Sequence, residues 1–319
     1  MKSYWNGKEE IWVLNGESDG DWKKKYVANV TKSETATFAE DASTTLSGDD
    51  YLAIYPAEPA ASVKWNGNIQ SAAPFFWLDP KQTLVAGSYD PRWHIAVAYA
   101  EAGDENLHFK NVNSLVKFTI GSDNVTEVCF YGNNSEKIAG NFNVNYNSGN
   151  PTVTNSTEVY AKVTGSFEKS KTYYISVLPS VFNKGFSIEF VKGGKKYISK
   201  VDSKYTLSRN QILDLKTLNT RTIYLNAGSH WDVDGAKFMA HYWKTNNSGT
   251  SVKMSKIANT NIYKCQVNYD ADNIIFVRKD PNSSDTDFGG EWGRVQTTLS
   301  ADYNLFTMKS YSEGYWGNR

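Results

Sequence analysis

Turn-forming residues divide nearly the whole chain into short segments. Gly, Pro, Asn and Ser recur about every eight to twelve residues, and the segments between them alternate apolar and polar side chains. Such alternation is typical of half-buried β-strands, and this spacing of turns is typical of all-β sandwiches. The clearest strands are predicted at residues 116–120, 173–178 and 186–191. The fold class predicted from this pattern is all-β.

The third of these strands leads into a predicted hairpin. Its apolar residues continue through Lys192, Gly193, Gly194 and Lys195 into a second alternating segment at residues 196–201. Two glycines suit such a turn because they adopt positive φ angles without steric cost. We therefore interpret the two lysines as a solvated turn and not as a binding patch.

Chain length and tryptophan usage predict three domains. The 319 residues exceed one β-sandwich of about 100 residues, so two or three such domains are expected. Six tryptophans lie between Trp5 and Trp93 and four between Trp231 and Trp316, with none from residue 94 to residue 230. Polar segments near residues 101–106 and 219–222 supply the linkers. The predicted domains are residues 1–106, 107–219 and 220–319.

Charge and cysteine content narrow the range of partners. Lys+Arg and Asp+Glu both number 34, so no net field would draw the chain to nucleic acid or to anionic lipid. The two cysteines, Cys129 and Cys265, fall in different predicted domains, which excludes a disulfide framework. No apolar stretch is long enough to form a transmembrane segment, and no signal peptide opens the sequence. The residues alone leave two expectations open: a cytosolic protein, or one whose leader has been removed.

No catalytic constellation stands out. Asp232 and Asp234 form a carboxylate pair, but residues two apart in one turn seldom face each other across a sugar, and Asp itself favours turns. No phosphate loop, nucleophile elbow or dinucleotide fingerprint occurs. The four histidines lack the spacing of a zinc site: His94, His108, His230 and His241. The sequence therefore predicts no enzymatic activity and no cofactor.

The clearest functional signal lies in the aromatic segment that ends at Trp243. Alternation along residues 236–243 assigns one set of side chains to the core, namely Ala236, Phe238, Ala240 and Tyr242. The other set should face solvent because Lys237 is costly to bury, and it comprises Lys237, Met239, His241 and Trp243. Flat rings beside polar groups suit the apolar faces and hydroxyls of sugars. Trp243 on such a face either contacts a ligand or caps the edge of the core.

The loop after the strand at residues 273–278 adds further candidates. Trp292 in this loop, and Trp231 upstream, could supply stacking rings, while Arg278 could donate to sugar hydroxyls or pair with an acidic residue of the loop. The loop also offers oxygens of the kind that Ca²⁺ prefers, from Asp280, Asn282, Asp285, Asp287 and Glu291. The sixth position is Asp285 where an EF-hand requires Gly, so a solvated acidic loop is favoured and no metal is expected.

Six segments follow one another through the first two predicted domains. They are Trp5-Asn-Gly-Lys-Glu-Glu-Ile-Trp-Val13, Ser47-Gly-Asp-Asp-Tyr-Leu-Ala-Ile-Tyr-Pro56, Leu107-His-Phe-Lys-Asn-Val-Asn-Ser-Leu-Val-Lys-Phe118, Ile138-Ala-Gly-Asn-Phe142, and residues 173–179 and 207–215. In this order they resemble the fimbrillin-like surface adhesins of Gram-negative anaerobes. The resemblance covers roughly residues 4–218 and implies two tandem transthyretin-like β-sandwiches. It also implies a fimbrial subunit or an outer-membrane lipoprotein, anchored by a lipid on a segment ahead of Met1.

The third predicted domain carries a different likeness. Its features are Trp231, the aromatic strand from Phe238 to Trp243, Met254, Tyr263, a strand at residues 274–276, and Gln296 with Thr297. Over roughly residues 222–308 these resemble the starch-binding carbohydrate-binding modules of families twenty-five and twenty-six. The resemblance assigns sugar binding to His241. Residues 250–253 stand where those modules carry a loop Trp, and Met239 stands where Tyr is common.

Together these observations predict an extracellular protein at the outer membrane or cell surface. The leading hypothesis is a non-catalytic surface adhesin or fimbrial tip protein. Two fimbrillin-like β-sandwiches would present a carbohydrate-binding-module-like β-sandwich to a glycan, with α-glucan among the candidates, or to a host surface. Its predicted binding residues are His241, Trp243, Trp231, Trp292 and Arg278. The alternative is a structural fimbrial subunit or assembly cap that contacts other subunits and binds no ligand.

Overall fold

The computed structural model describes residues 4–15, 23–40, 51–57, 61–62, 75–101, 103–104, 106–147 and 149–319. The chain divides into two compact units: Met1–Ile188 with Val201–Leu218, and Glu189–Lys200 with Asn219–Arg319. Within the described ranges nearly all regular structure is β, which confirms the predicted fold class. The helical segments of this part are three and four residues long, so neither could span a membrane.

The first nine strands belong to the first unit. Their bounds are β1 Glu10–Asn15, β2 Lys23–Asn29, β3 Thr37–Glu40, β4 Tyr51–Tyr55, β5 Ala61–Ser62, β6 Phe75–Leu78, β7 Lys81–Thr83, β8 Ala96–Ala100 and β9 Lys110–Asn111. Six of them form an antiparallel sheet in the order β3-β2-β1-β4-β8-β9. A single turn of 3₁₀-helix, Pro91–Trp93, precedes β8. Ser47–Asp50, part of the second fimbrillin-like segment, lie outside the described residues.

Both faces of the six-stranded sheet are apolar. Leu14, Leu52 and Ile54 are buried on one face. Ile11, Val13, Ala53 and Ala98 are buried on the other, where larger rings pack against them. Buried side chains at successive positions of a strand require cover on both faces, which explains why these strands are more continuously apolar than a half-buried strand.

The next strands continue the first unit, apart from residues 189–200, which belong to the second unit. They are β10 Ser114–Ile120, β11 Val125–Gly132, β12 Gly140–Asn147, β13 Asn150–Thr154, β14 Tyr160–Thr164, β15 Thr172–Val177, β16 Ser180–Phe182, β17 Phe186–Lys192, β18 Lys195–Val201, β19 Tyr205–Leu207 and β20 Ile212–Leu218. β10 lies between β15 and β20, pairing in parallel with β20. The predicted strands at residues 116–120, 173–178 and 186–191 thus correspond to β10, β15 and β17.

Two short strands connect the first predicted domain with the second. β6 pairs with β12 in the sheet β13-β12-β6-β5, and β7 pairs in parallel with β14, which in turn pairs with β11. Residues before 107 therefore share sheets with residues after it, and both predicted domains fall within one compact unit except for Glu189–Lys200 and Asn219. The boundary at residues 106/107 and the three-domain division stay predictions.

The hairpin predicted at the Lys192–Lys195 turn is present. Gly193 and Gly194 have φ angles of 55° and 77°, as the turn between β17 and β18 requires. The hairpin portion Glu189–Lys200 belongs to the second unit. There the Phe190 and Tyr197 rings stack at 5.3 Å, and Tyr269 packs edge-on against both. The Arg221 guanidinium lies 5.7 Å from the centre of the Tyr197 ring.

The remainder of the second unit is a β-sandwich. Its strands are β21 Thr220–Asn226, β22 Lys237–Trp243, β23 Thr250–Lys253, β24 Ser255–Lys256, β25 Ile262–Asn268, β26 Asn273–Lys279, β27 Glu291–Thr298, β28 Leu305–Met308 and β29 Gly314–Gly317, with one helical turn, α1 Gly228–Trp231. The sheet β24-β25-β21-β28-β29 faces the sheet β23-β22-β26-β27. Ile223 and Leu225 from the first sheet and Phe238 and Phe276 from the second lie in one buried core.

Candidate functional site

The outer face of the four-stranded sheet carries His241 and Trp243. Phe238 and Ala240 of β22 are buried in the core, as their alternation predicts. His241 and Trp243 occupy the opposite face and are half-buried. Pairing places His241 beside Ser251 of β23 and Ile275 of β26, and Ile275 beside Gln296 of β27. The outer face therefore joins rings, an aliphatic side chain and polar side chains across four strands.

Part of this outer face is covered. Met239 was expected on the wetter face, but its side chain is fully buried, as is Val277 opposite it on β26. Lys279, which shares that face of β26, is buried as well. The loop between β26 and β27, residues 280–290, supplies the partners of this lysine. The expectation that this is the wetter face is wrong at Met239, whereas Lys253 and Arg294, which pair with Met239 and Val277, are exposed.

Ion pairs hold the 280–290 loop in place. The Lys279 ammonium donates to the backbone carbonyl of Asp287 and lies 3.5 Å from its carboxylate. Lys237 and Lys253 contact the two carboxylate oxygens of Asp285 at 3.1 and 3.0 Å. Three lysines from three strands thus bind two loop carboxylates. The loop is attached to the sheet by charge pairs whose carboxylates are partly exposed to solvent.

The attached loop adds a third ring beside the histidine. Phe288 is 38% exposed, and its ring centre lies 5.3 Å from that of His241 at an interplanar angle of 61°. Trp243 lies 5.7 Å from His241 on the β22 strand, at 39°. We call Trp243, His241 and Phe288 the aromatic platform. Three adjacent rings that remain partly open to solvent can stack on the C–H faces of a sugar or another flat apolar ligand.

His241 is fixed within the platform by its neighbours. Its Nδ1 atom lies 2.9 Å from the Ser251 hydroxyl, and the Gly249 backbone packs so closely on the ring that a Cβ there would stand 2.1 Å from Nε2. Partial burial lowers the pKa of His241, so the imidazole is uncharged at neutral pH. A neutral imidazole offers one hydrogen-bond donor and one acceptor besides its ring face.

Trp231 is placed elsewhere. It was predicted as an additional stacking ring, but its side chain is fully buried. The indole stacks on Phe238 at 6.0 Å and 14°, and its Nε1–H donates to the backbone carbonyl of Tyr311 at 3.2 Å. The helical turn α1 carries this ring into the core of the sandwich. Trp231 therefore offers no surface to a ligand, because apolar rings gain more from core burial than from solvent exposure.

Arg278 and Trp292 lie on the face opposite the platform. Arg278 pairs in register with Phe238, whose side chain faces the core, whereas His241 faces outward. The Arg278 guanidinium donates to the carbonyls of Trp231 and Val233 at 2.9 and 3.1 Å and to Asp234 at 2.9 Å. Trp292, 44% exposed, lies with its ring centre 4.9 Å from that guanidinium.

These contacts give Arg278 a partner other than the two considered for it. The arginine is buried and pairs with Asp234, in the turn after α1, and not with an acidic residue of the 280–290 loop. Its donors fix that turn and support the Trp292 ring by a cation–π contact. Asp232, the other carboxylate of the turn, accepts from the Tyr263 hydroxyl at 2.7 Å and pairs with Lys256. Both carboxylates thus have structural partners, which leaves no free acid and base pair in this turn.

The candidate calcium ligands are also engaged by protein groups. Asp285 and Asp287 bind lysines, Glu291 lies 3.4 Å from Arg294, and Asp280 accepts from the Asn282 amide at 2.8 Å. Lysine contacts lower the pKa of Asp285, because each ammonium stabilises the carboxylate. Across the ranges that the structure describes, no three His, Cys, Asp or Glu side chains converge as a metal site would require. The loop oxygens do not fit a Ca²⁺ site.

Comparisons with known proteins give the following. No protein-family model and no curated protein matches the chain. Among solved structures, a proposed cell adhesion protein of Bacteroides uniformis is similar at 15% identity with a TM-score of 0.44, covering 70% of this chain and 87% of that one. One from Bacteroides ovatus is similar at 15% identity with a TM-score of 0.35, covering 69% of this chain and 82% of that one. One from Bacteroides thetaiotaomicron is similar at 12% identity with a TM-score of 0.33, covering 66% of this chain and 79% of that one.

Proposed function

We propose that the protein is a non-catalytic cell-surface adhesin whose aromatic platform binds glycan. The observation that carries this proposal is the placement of Trp243, His241 and Phe288 side by side on a partly exposed sheet face. Ser251 and Gln296 supply polar groups beside the rings. This combination of flat apolar surfaces and neutral donors matches the alternating C–H and hydroxyl surfaces of a sugar.

The platform favours weak binding at each copy. It is an open face with three rings, and each ring contact contributes only about 1 kcal/mol. A site of this kind is expected in the millimolar to micromolar range. Display of many copies on a surface raises the effective concentration and multiplies the total affinity. Weak individual sites are therefore compatible with adhesion.

We assign the other unit a supporting role. Its fimbrillin-like segments motivate the proposal that it acts as a stalk or tip mount at the outer membrane, held by a lipid on a preceding segment. Fimbrial subunits are the expected protein partners in that case. The platform lies on the second unit, whose sequence resembles starch-binding carbohydrate-binding modules. For that reason α-glucans are the first ligands to test.

A glycan array that includes maltooligosaccharides tests the platform. Trp243→Ala and Phe288→Ala should each weaken the signal about fivefold, because each removes a stacking ring. Trp292→Ala is the matched control, since Trp292 is an exposed tryptophan of the same sheet but lies on the opposite face. It should bind as the unaltered protein does. Absence of any glycan signal, or equal signals for all three variants, would instead favour an assembly cap without a ligand.

A further inference from the structure

The first unit contains a cavity of about 1310 Å³, and no residue of the aromatic platform lines it. Small-molecule sites are usually about 300–1,000 Å³, so this space exceeds the needs of a single small ligand. One wall is the six-stranded sheet, on the face that carries Ile11 and Val13. Aromatic rings from this sheet and from segments next to it also line the cavity. Among them are Trp5, Tyr26, Phe38, Tyr55 and Phe109.

The sheet itself creates the space. Ala96 and Ala100 of β8 lie on the wall of the cavity, and their pairing partners on β4 are Tyr55 and Tyr51. Methyl side chains opposite rings leave a depression along β8, because a Cβ reaches far less from the sheet than a phenol ring does. Tyr26 on β2 and Phe38 on β3 line the same cavity from the other side of the sheet's centre. The wall is therefore low along β8 and aromatic along β4, β2 and β3, which lie on one side of β8.

Three rings pack edge-on against a fourth, that of Trp5. Phe38, Tyr55 and Phe109 lie 5.0, 5.2 and 5.5 Å from the Trp5 ring, with interplanar angles of 88°, 85° and 71°. All four rings are only partly buried. Perpendicular rings present flat surfaces in more than one direction. A ligand with several apolar faces, such as a chain of sugar rings, can contact more than one of them.

The polar part of the wall is charge-balanced. Glu34 and Asp104 oppose Lys110 and Arg209, so neither sign dominates. Arg209 donates to the Asn111 carbonyl at 3.2 Å and to the Asn150 side chain at 2.8 Å, and the Lys110 ammonium donates to the Gly149 carbonyl. Both cations are thereby held by neutral oxygens of the protein. An anion would find no cluster of free positive charge here.

Two titratable rings of the wall, His94 and Tyr55, are also uncharged at neutral pH. Burial lowers the pKa of His94 to about 4 and raises that of Tyr55. Asn111 and Asn210, which hydrogen-bond to each other at 2.7 Å, add amide groups. The polar lining is thus made mainly of hydroxyls and amides, which suit neutral hydroxyl-bearing ligands.

We infer that this cavity binds a neutral oligosaccharide of several residues, at a site separate from the aromatic platform. Its volume, its perpendicular rings and its balanced charge all favour a neutral chain with flat apolar faces over a charged ligand. The inference concerns the first unit alone, so it holds or fails independently of the platform.

A blocking substitution tests the inference. Ala36 lines the cavity and is half-buried, so Ala36→Trp places an indole in the space. Ala39 on the same stretch is exposed and does not line the cavity, and Ala39→Trp is its matched control. Tyr4→Ala, which removes a 46% exposed ring of the wall, is a milder second variant that needs no repacking. Far-UV circular dichroism and thermal melting check that each variant folds.

The measurement uses the Trp243→Ala/Phe288→Ala protein, in which the platform is disabled. A panel of neutral oligosaccharides of two to six residues, titrated by calorimetry, should still bind this protein. Ala36→Trp should weaken that binding at least about tenfold and Tyr4→Ala about three- to tenfold, whereas Ala39→Trp should leave it unchanged. If no member of the panel binds, if Ala36→Trp and Ala39→Trp bind equally, or if only peptides show dependence on Ala36→Trp, the inference is overturned. Each of these results leaves the platform's own array data unaffected.

Discussion

Gly249→Ala isolates the contribution of His241 without removing its side chain. A Cβ at position 249 would lie 2.1 Å from Nε2, 2.5 Å from Cε1 and 3.0 Å from Cδ2 of His241. The backbone of Gly249 does not have the positive φ that would strain an alanine. The imidazole must therefore move by roughly 1.3 Å to regain ordinary van der Waals contact. Such a movement breaks the contact between Nδ1 and the Ser251 hydroxyl.

The expected loss of stability is small and that of binding is larger. The hydrogen bond contributes about 0.5–1.5 kcal/mol, and an imidazole forced off its rotamer costs about as much. His241 is half-buried, so water replaces part of the lost bond, and we expect the free energy of unfolding to fall by about 1–2 kcal/mol. The displaced ring no longer lies between Trp243 and Phe288. Glycan affinity should therefore fall about fivefold, because one ring contact is lost.

Two measurements decide the matter. Chemical denaturation gives the free energy of unfolding, and NMR of the histidine ring reports the displacement directly. Gly293→Ala is the control, because a Cβ at Gly293 on the same sheet meets nothing within 4 Å. It should change neither stability nor binding. An unshifted His241 resonance in Gly249→Ala, or equal effects of the two glycine substitutions, would refute the packing argument.

Three further predictions concern buried and paired groups. Lys279→Met should leave the free energy of unfolding unchanged or raise it by up to about 4 kcal/mol in denaturant titrations. The reason is that an apolar chain replaces a fully buried ammonium, while the exposed Asp287 carboxylate returns to water. A marked loss of stability would contradict this. Hydrogen bonds from Lys253 and Lys237 keep the pKa of Asp285 below its ordinary 3.8. The contribution of Asp285 to loop attachment is therefore complete above pH 3.8 and is lost as the pH falls through the lowered pKa. The NMR signals of Phe288 should accordingly shift only in acid. Asp285→Asn should abolish this pH dependence of the Phe288 signals. Burial raises the pKa of the Cys265 thiol to about 12, so a thiol reagent at pH 8 should label the half-buried Cys129 first. Equal labelling of the two cysteines in the folded protein would count against the core placement of Cys265.

Local periodicity was sufficient to predict the strands. The predicted segments at residues 116–120 and 186–191 lie within Ser114–Ile120 and Phe186–Lys192, and the glycine turn after the latter forms as expected. Alternation also placed Phe238 and Ala240 in the core. These features depend on neighbours within a few residues. The sharing of sheets through β6 and β7 depends on pairing across more than 60 residues, which alternation does not encode.

The candidate site was predictable only in part. His241 and Trp243 follow from the period of β22, but Phe288 enters through ion pairs between Asp285 and two lysines more than 30 positions earlier. The available signal was charge complementarity between the acidic loop and lysines on alternating strand positions. Trp231 and Trp292 have the same side chain, yet one is buried by α1 and the other is exposed over Arg278. Residue type alone does not separate them.

The assignment of Glu189–Lys200 to the second unit affects how that unit can be made. A gene fragment that begins at residue 219 would lack Phe190 and Tyr197, and it would leave Tyr269 and Arg221 without the rings that pack on them. During translation the hairpin leaves the ribosome before β21 does, so the later strands meet a template that is already in place. Expression of a working C-terminal fragment therefore calls for a start ahead of β17 or for a permuted gene that rejoins the two pieces.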